Sequence, residues 1–173
     1  MIDEITCFAN WLRRRNPQAR TWRDYGYDLS QFVTIVGDKP PVAVTLQDVY
    51  NFITAQAARG LKPATINRHL AAVMSLYTFL ADEAPELVCP VLPHRHTLRE
   101  PQRLPRPAPE ADFQRFFAVM ADARDRAMFL LMLRCRLSIA KVAGLRLSDL
   151  CLAESPPRLR VSGKNSKERV VYL

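Results

Sequence analysis

Apolar residues over the first eighty positions recur every three to four residues, the period of a helix with one buried face. Ile5, Phe8, Ala9, Trp11 and Leu12 share such a face, which predicts a first helix from Ile2 to about Arg15, stopped by Asn16-Pro17. Trp22, Tyr25, Leu29, Phe32, Val33 and Val36 repeat the pattern up to Gly37, with Thr21 and Asp24 spaced as a capping box at its start. Trp22, Tyr25 and Phe32 on that stripe are assigned to the core rather than to base stacking. Asp38-Lys39-Pro40-Pro41 reads as a loop, after which Thr45-x-x-Asp48 opens a third helix carrying Leu46, Val49, Phe52 and Ile53 and closed by Gly60. Pro63 suits the first turn of a fourth helix, whose face holds Ile66, Leu70, Val73, Leu76, Tyr77 and Leu80. Residues 1–88 are thus expected to form a compact all-α module.

The pattern then breaks. Prolines at 85, 90, 93, 101, 105, 107 and 109 interleave with arginines, so residues 89–109 are expected to be an extended linker without a core of their own. Pro109-Glu110 begins a helix through Phe113, Phe116, Phe117 and Met120, and Arg124 to about Arg136 forms another, apolar on most sides and expected to be buried. From Leu159 the period changes to that of strands: Leu159-Arg-Val161, a turn at Gly163 to Ser166, then Val170 to Leu173 make a β-hairpin. A lone hairpin is marginal in water, so this one should lean on the preceding helices or on a further strand. The fold class is mainly α, with a partial α+β segment over residues 110–173.

Charge narrows the partners. The chain has 173 residues, room for one domain or two small ones, and 25 Lys+Arg against 17 Asp+Glu leave a net charge of +8. A polyanion is the natural counterpart, nucleic acid first and an anionic membrane surface second. Arg13, Arg14, Arg15, Arg20 and Arg23 crowd the start, and Arg95, Arg99, Arg103 and Arg106 line the proline-rich stretch; both clusters could track phosphates. Lys62, Thr65, Asn67 and Arg68 sit at a helix start, where amide N–H groups and positive side chains favour phosphate, though Thr65 and Asn67 also suit a plain helix terminus. Cys7, Cys89, Cys135 and Cys151 are too scattered for a zinc or short disulfide framework, and His94-Arg95-His96 lacks partners at ligand spacing, so no metal or other cofactor is expected. Asp3 and Glu4 stand where a signal peptide carries positive charge, and no apolar run approaches a membrane span; the expected location is cytoplasmic.

Several motifs resemble those of the tyrosine recombinase, or phage integrase, family. Thr21, Tyr25, Asp28, Leu29 and Phe32, then Thr45, Asp48 and Val49, then Thr65-Ile66-Asn67-Arg68 and Leu76-Tyr77 follow the order of its SAM-like core-binding domain. Leu137 to Leu150, LSIAKVAGLRLSDL, resembles the helix that carries the family's first catalytic arginine. Leu145, Arg146, Asp149 and Leu150 fall on family positions there, but Ser138 occupies the arginine position and Lys141 that of a glutamate. In the hairpin GKNSKER, Lys164 matches a family lysine.

The resemblance implies a four-helix core-binding domain at 1–88, a linker at 89–109 and the amino-terminal portion of a catalytic domain at 110–173. It also implies double-stranded DNA and other recombinase protomers as partners, with phosphate contacts from Arg20, Arg23, Lys62, Thr65, Asn67, Arg68, Arg95, Arg99, Arg103, Arg106 and Arg146. The family chemistry is attack of a tyrosine hydroxyl on a backbone phosphate. Paired guanidiniums stabilise the charge that develops on the nonbridging oxygens, and a lysine protonates the departing 5′ oxygen. Serine cannot make a bidentate phosphate contact, and neither a His-x-x-Arg nor a tyrosine on a late helix follows in this sequence. The chain is therefore expected to bind DNA without cutting it, as a decayed or truncated recombinase or as a regulator paired with an intact one. Arg134, one helical turn before Ser138 and on a similar face, is the nearest candidate to replace the missing arginine.

Overall fold

The computed structural model describes residues 1–102, 104, 106–153, 155–163 and 168–173. The chain divides into two compact units, residues 1–103 and 104–173. In the first, α1 (Ile2–Arg15), α2 (Thr21–Val36), α3 (Leu46–Ala58) and α4 (Pro63–Leu80) are the four expected helices, followed by a single turn, α5 (Pro93–His96). In the second, α6 (Glu110–Ala118), α7 (Ala123–Cys135) and the short α8 (Ile139–Ala143) precede β1 (Leu150–Cys151), β2 (Arg158–Ser162) and β3 (Glu168–Tyr172).

The middle of the first unit is α2, which packs against α1, α3 and α4. Its Leu29 and Phe32 are fully buried, and the Phe32 ring meets Phe52 of α3 edge-on at 5.1 Å. Val49, Val73, Leu76 and Tyr77 complete the core, each side chain of this size contributing roughly 1.5–3 kcal/mol by leaving water. Local signals set the helix ends. The Thr45 hydroxyl accepts a hydrogen bond from the Asp48 N–H while the Asp48 carboxylate accepts one from the Thr45 N–H, a reciprocal capping box at the helix start that Thr45-x-x-Asp48 marked. Gly60 takes φ +77° just past α3, a left-handed turn that an L side chain resists. At α2 the expected box does not form: Arg20 occupies the capping position without a side-chain hydrogen bond, and Thr21 is already the first helical residue. Trp22 also departs from expectation, since it is half-buried and, unlike Tyr25 one turn later, does not pack against the core.

The proline-rich stretch differs from an extended linker over its first half. Val91 and His96 are buried with the first unit, the His96 ring lies edge-on to Tyr50 at 4.7 Å, and its Nδ1 accepts a hydrogen bond from the Leu92 N–H. Asn67 of α4 fastens the same segment. Its Oδ1 accepts from the Leu98 N–H at 2.8 Å while its Nδ2 donates to the Leu98 carbonyl and the Glu100 carboxylate. Proline restricts the backbone without preventing neighbouring side chains from packing, which periodicity cannot register.

In the second unit the hairpin is part of a three-stranded antiparallel sheet in the order β1-β2-β3, with Leu150 opposite Leu159 and Leu159 opposite Val171. Leu159 and Val161 of β2 bury one face against Leu137 and Val142, so the sheet leans on the helices as well. Helix α7 corrects the expectation of a buried segment: none of its residues is fully buried, and Phe129, Leu130 and Leu133 stay more than one third exposed. Its apolar character reflects composition on several sides, whereas only Met128, Leu131, Met132 and Cys135 meet the small core. Arg136, at φ +52°, ends α7 in the left-handed region, so Arg134 and Ser138 do not share a helix face.

One carboxylate is sealed inside the first unit. Asp28 has no exposed surface; Arg68 Nη1 lies 2.7 Å from its Oδ2, and His69 Nε2 lies 3.5 Å from its Oδ1. Burial raises the Asp28 pKa above its ordinary value of 3.8, and the charges of Arg68 and His69 only partly offset it. Burial likewise lowers the His69 pKa, against the pull of Asp28, and the Arg68 guanidinium is the nearer cation.

Two outcomes follow for stability. Phe52→Ala, which empties a fully buried ring site, should cost about 3–5 kcal/mol in urea unfolding. Because folding raises the Asp28 pKa, the folded state holds that proton more tightly; the ionised side chain weighs against the fold increasingly as pH climbs from below 3.8 through the raised value. Asp28→Asn should therefore match or exceed the native stability at pH 7, with the difference shrinking toward zero near pH 3. A variant less stable than the native chain at pH 7 would show that the Arg68 pairing outweighs burial.

Candidate nucleic-acid interface

Positive charge gathers where α1 ends and α2 begins. Arg13, Arg14 and Arg15 occupy the last turn of α1, Arg20 caps α2, and Arg23 lies in its first turn; all five are exposed. Among the described residues none of them is ion-paired to a carboxylate. Three other cations of this unit have side-chain partners: Lys39 meets Asp48 at 2.7 Å, Arg68 meets Asp28, and Arg59 donates to the Gln31 side-chain oxygen at 3.1 Å. The arginines closing α1 complement the negative end of its dipole. Arg20 and Arg23 do the opposite, standing at the positive end of α2 where a cation costs on the order of 0.3–1 kcal/mol. Lys62, the capping residue of α4, repeats the inversion, with no acidic residue in the first turn.

The remaining residues expected at α4 serve the fold as well. The Thr65 N–H is taken by the Lys62 carbonyl at 2.9 Å, and the Asn67 amide is committed to Leu98 and Glu100. Arg68 is half exposed but tethered to Asp28. Only Lys62 of this group presents an unengaged cation to solvent. Sequence spacing could not separate these roles, because a helix start suits phosphate contacts and internal clamps equally. Arg95, on α5, and Arg99 and Arg106 are exposed, while Arg103 lies outside the described residues.

In the second unit Ser138 caps α8, exposed, its carbonyl accepting from the N–H groups of Lys141 and Val142 while its hydroxyl makes no cap bond. Arg146 is exposed, and its backbone N–H donates to the Asp149 carboxylate at 2.8 Å, so Asp149 shapes the turn into the sheet. Lys164 lies outside the described residues. Arg134 belongs instead to a cleft of about 650 Å³ between α6 and α7, together with Glu110 and Arg126. Among the described residues no group of three His, Cys, Asp or Glu side chains is placed to hold a metal, and no helix is long and apolar enough to cross a membrane.

Comparison with known proteins bears on this arrangement. Residues 5–84 match the phage integrase N-terminal SAM-like domain. Over 187 residues the chain is 31% identical to the tyrosine recombinase XerC of Chlorobaculum tepidum, covering 91% of this chain and 55% of that protein. It is 30% identical over 186 residues to XerC of Rhodospirillum centenum, covering 98% and 54% respectively. The fold superposes on lambda integrase, from a tetramer bound to a Holliday junction, with a TM-score of 0.73 over 98% of this chain and 49% of that one, at 15% identity. The chain thus spans about half the length of the curated relatives it matches. With the SAM-like signature over the first unit and the likeness to XerC continuing through the second, the chain belongs to the tyrosine recombinase, or phage integrase, family.

Proposed function

We propose that this chain grips duplex DNA at recombination sites through phosphate contacts and does not itself cut the strand. The observation that carries the first half is the set of unneutralised cations at the α1–α2 junction and the start of α4, two of the helix N-termini bearing positive charge against their own dipoles. A phosphate placed there would meet both the guanidiniums and the positive helix end. Residues 1–88 act as a core-binding domain in this reading and residues 110–173 as the amino-terminal portion of a catalytic domain, while the exposed Arg95, Arg99 and Arg106, in the intervening stretch of sequence, are further phosphate contacts.

The second half rests on Ser138. An exposed neutral hydroxyl stands where the family places an arginine, and the helix end at Arg136 removes the geometry by which Arg134 would replace it. Loss of one donor to the developing phosphate charge costs about 3–4 kcal/mol of barrier, several hundredfold in rate. The same substitution favours a second reading, a non-catalytic subunit that occupies sites or pairs with an intact recombinase; the tetramer of the lambda relative shows that protomers of this fold assemble on DNA in that protein.

Titration of labelled duplex across a salt series should give log K falling steeply and linearly with log salt, by about 0.9 per phosphate neutralised. Undetectable or salt-insensitive association overturns DNA binding. Incubation with a strand-interrupted suicide duplex should trap no covalent adduct; an adduct would overturn the non-cutting assignment. Mixed with an intact recombinase, the chain should alter site occupancy in a footprint, and independent behaviour would remove the accessory role.

A further inference from the structure

The tryptophan that leaves the core has two partners. Trp22 stands in the first turn of α2, with the Arg23 guanidinium carbon 4.8 Å and the Arg13 guanidinium carbon 5.3 Å from its ring centroid. Arg13 belongs to the last turn of α1, so one indole organises cations from two helices. A parallel contact lies nearby: Arg15 sits 5.3 Å over Trp11, whose ring packs against Phe8 and Phe79 of the core. These guanidiniums are therefore held on aromatic surface rather than by carboxylates. Glu83 lines the same surface depression as Arg13 and Arg14 without pairing with either.

The distinction matters for binding an anion. A carboxylate partner would order an arginine but spend its charge, and a phosphate would then have to displace it. An indole face orders the planar group while leaving its N–H edges and its full charge available. Two like charges brought to one ring repel each other until an anion arrives. A preordered pair also loses less side-chain freedom on binding, which is where long basic side chains otherwise forfeit affinity.

We infer that Trp22 is a positioning residue for phosphate recognition, holding Arg13 and Arg23 as a preformed two-guanidinium grip for the backbone of duplex DNA. The inference rests on the DNA-binding reading above and adds a site to it, separate from Lys62 on α4. Trp22 touches no phosphate in this role; it acts through the two arginines.

A double-mutant cycle in the full chain separates positioning from folding. Trp22→Leu should weaken binding of a labelled duplex about tenfold at moderate salt, as expected for two exposed cation–π contacts, and Trp22→Phe should recover part of the loss. Arg13→Gln with Arg23→Gln should weaken binding further and lower the salt slope by about 2. In that arginine-free background, Trp22→Leu should have no additional effect. Thermal unfolding by circular dichroism reports the fold, and the surface arginine pair tests the grip even where Trp22→Leu unfolds the chain. A Trp22→Leu penalty that persists without the arginines overturns the inference, as does native affinity in the Arg13→Gln, Arg23→Gln chain. Either result beside salt-dependent binding by the native chain refutes the grip alone; loss of native duplex binding would refute the parent reading with it.

Discussion

Burial of α2 is the constraint on which the first unit is built. Leu29 and Phe32 leave water completely, Phe52 of α3 meets the Phe32 ring, and Val73 and Leu76 from α4 and Phe8 from α1 are buried in the same core. Because α2 is sealed on one side, Asp28, the residue just before Leu29, is carried inside with it. That placement obliges α4 to supply Arg68, so a position that looks suited to phosphate is tied to the interior. Asn67, beside it, is drawn into fastening Leu98 and Glu100. The inner face of α4 thus spends two of its polar residues on the fold.

The opposite economy governs the α1–α2 junction. There the chain accumulates arginines with no carboxylate partner among the described residues, and sets Arg20 and Arg23 at a helix end that repels them. Local electrostatics alone would exchange those residues for acids. Under the proposed contact with DNA phosphates, the cost in the free chain would be recovered on binding. Aromatic support for Arg13, Arg15 and Arg23 limits the disorder that mutual repulsion would otherwise cause.

The second unit is a smaller structure with a smaller core. Leu137, Val142, Leu159 and Val161 are its buried residues, and α7 keeps Phe129, Leu130 and Leu133 substantially exposed. Its sheet gains a third strand only because the turn at Asp149 directs Leu150-Cys151 alongside β2. The short helices follow from this: Ser138 caps a five-residue helix after a left-handed turn, rather than sitting within a long one.

Helix identity and register were legible in the chain wherever a single face is buried, since a period near 3.6 carries that information locally; α1 to α4, the start of α3 at Thr45 and the turn at Gly60 needed nothing more. The family motifs and the Ser138 departure are likewise linear facts. Which polar residues face inward is not. Asp28 finds Arg68 across forty positions, Asn67 finds Leu98 and Glu100 across more than thirty, and Trp22 is turned from the core toward Arg13 of another helix. Those pairings depend on how helices cross, and crossing is settled by the summed packing of many side chains. The sequence therefore announces a basic, helical recombinase relative, while the fold decides which basic residues, such as Arg68, are tied to the interior and which, such as Arg13 and Arg23, stay exposed without a carboxylate partner.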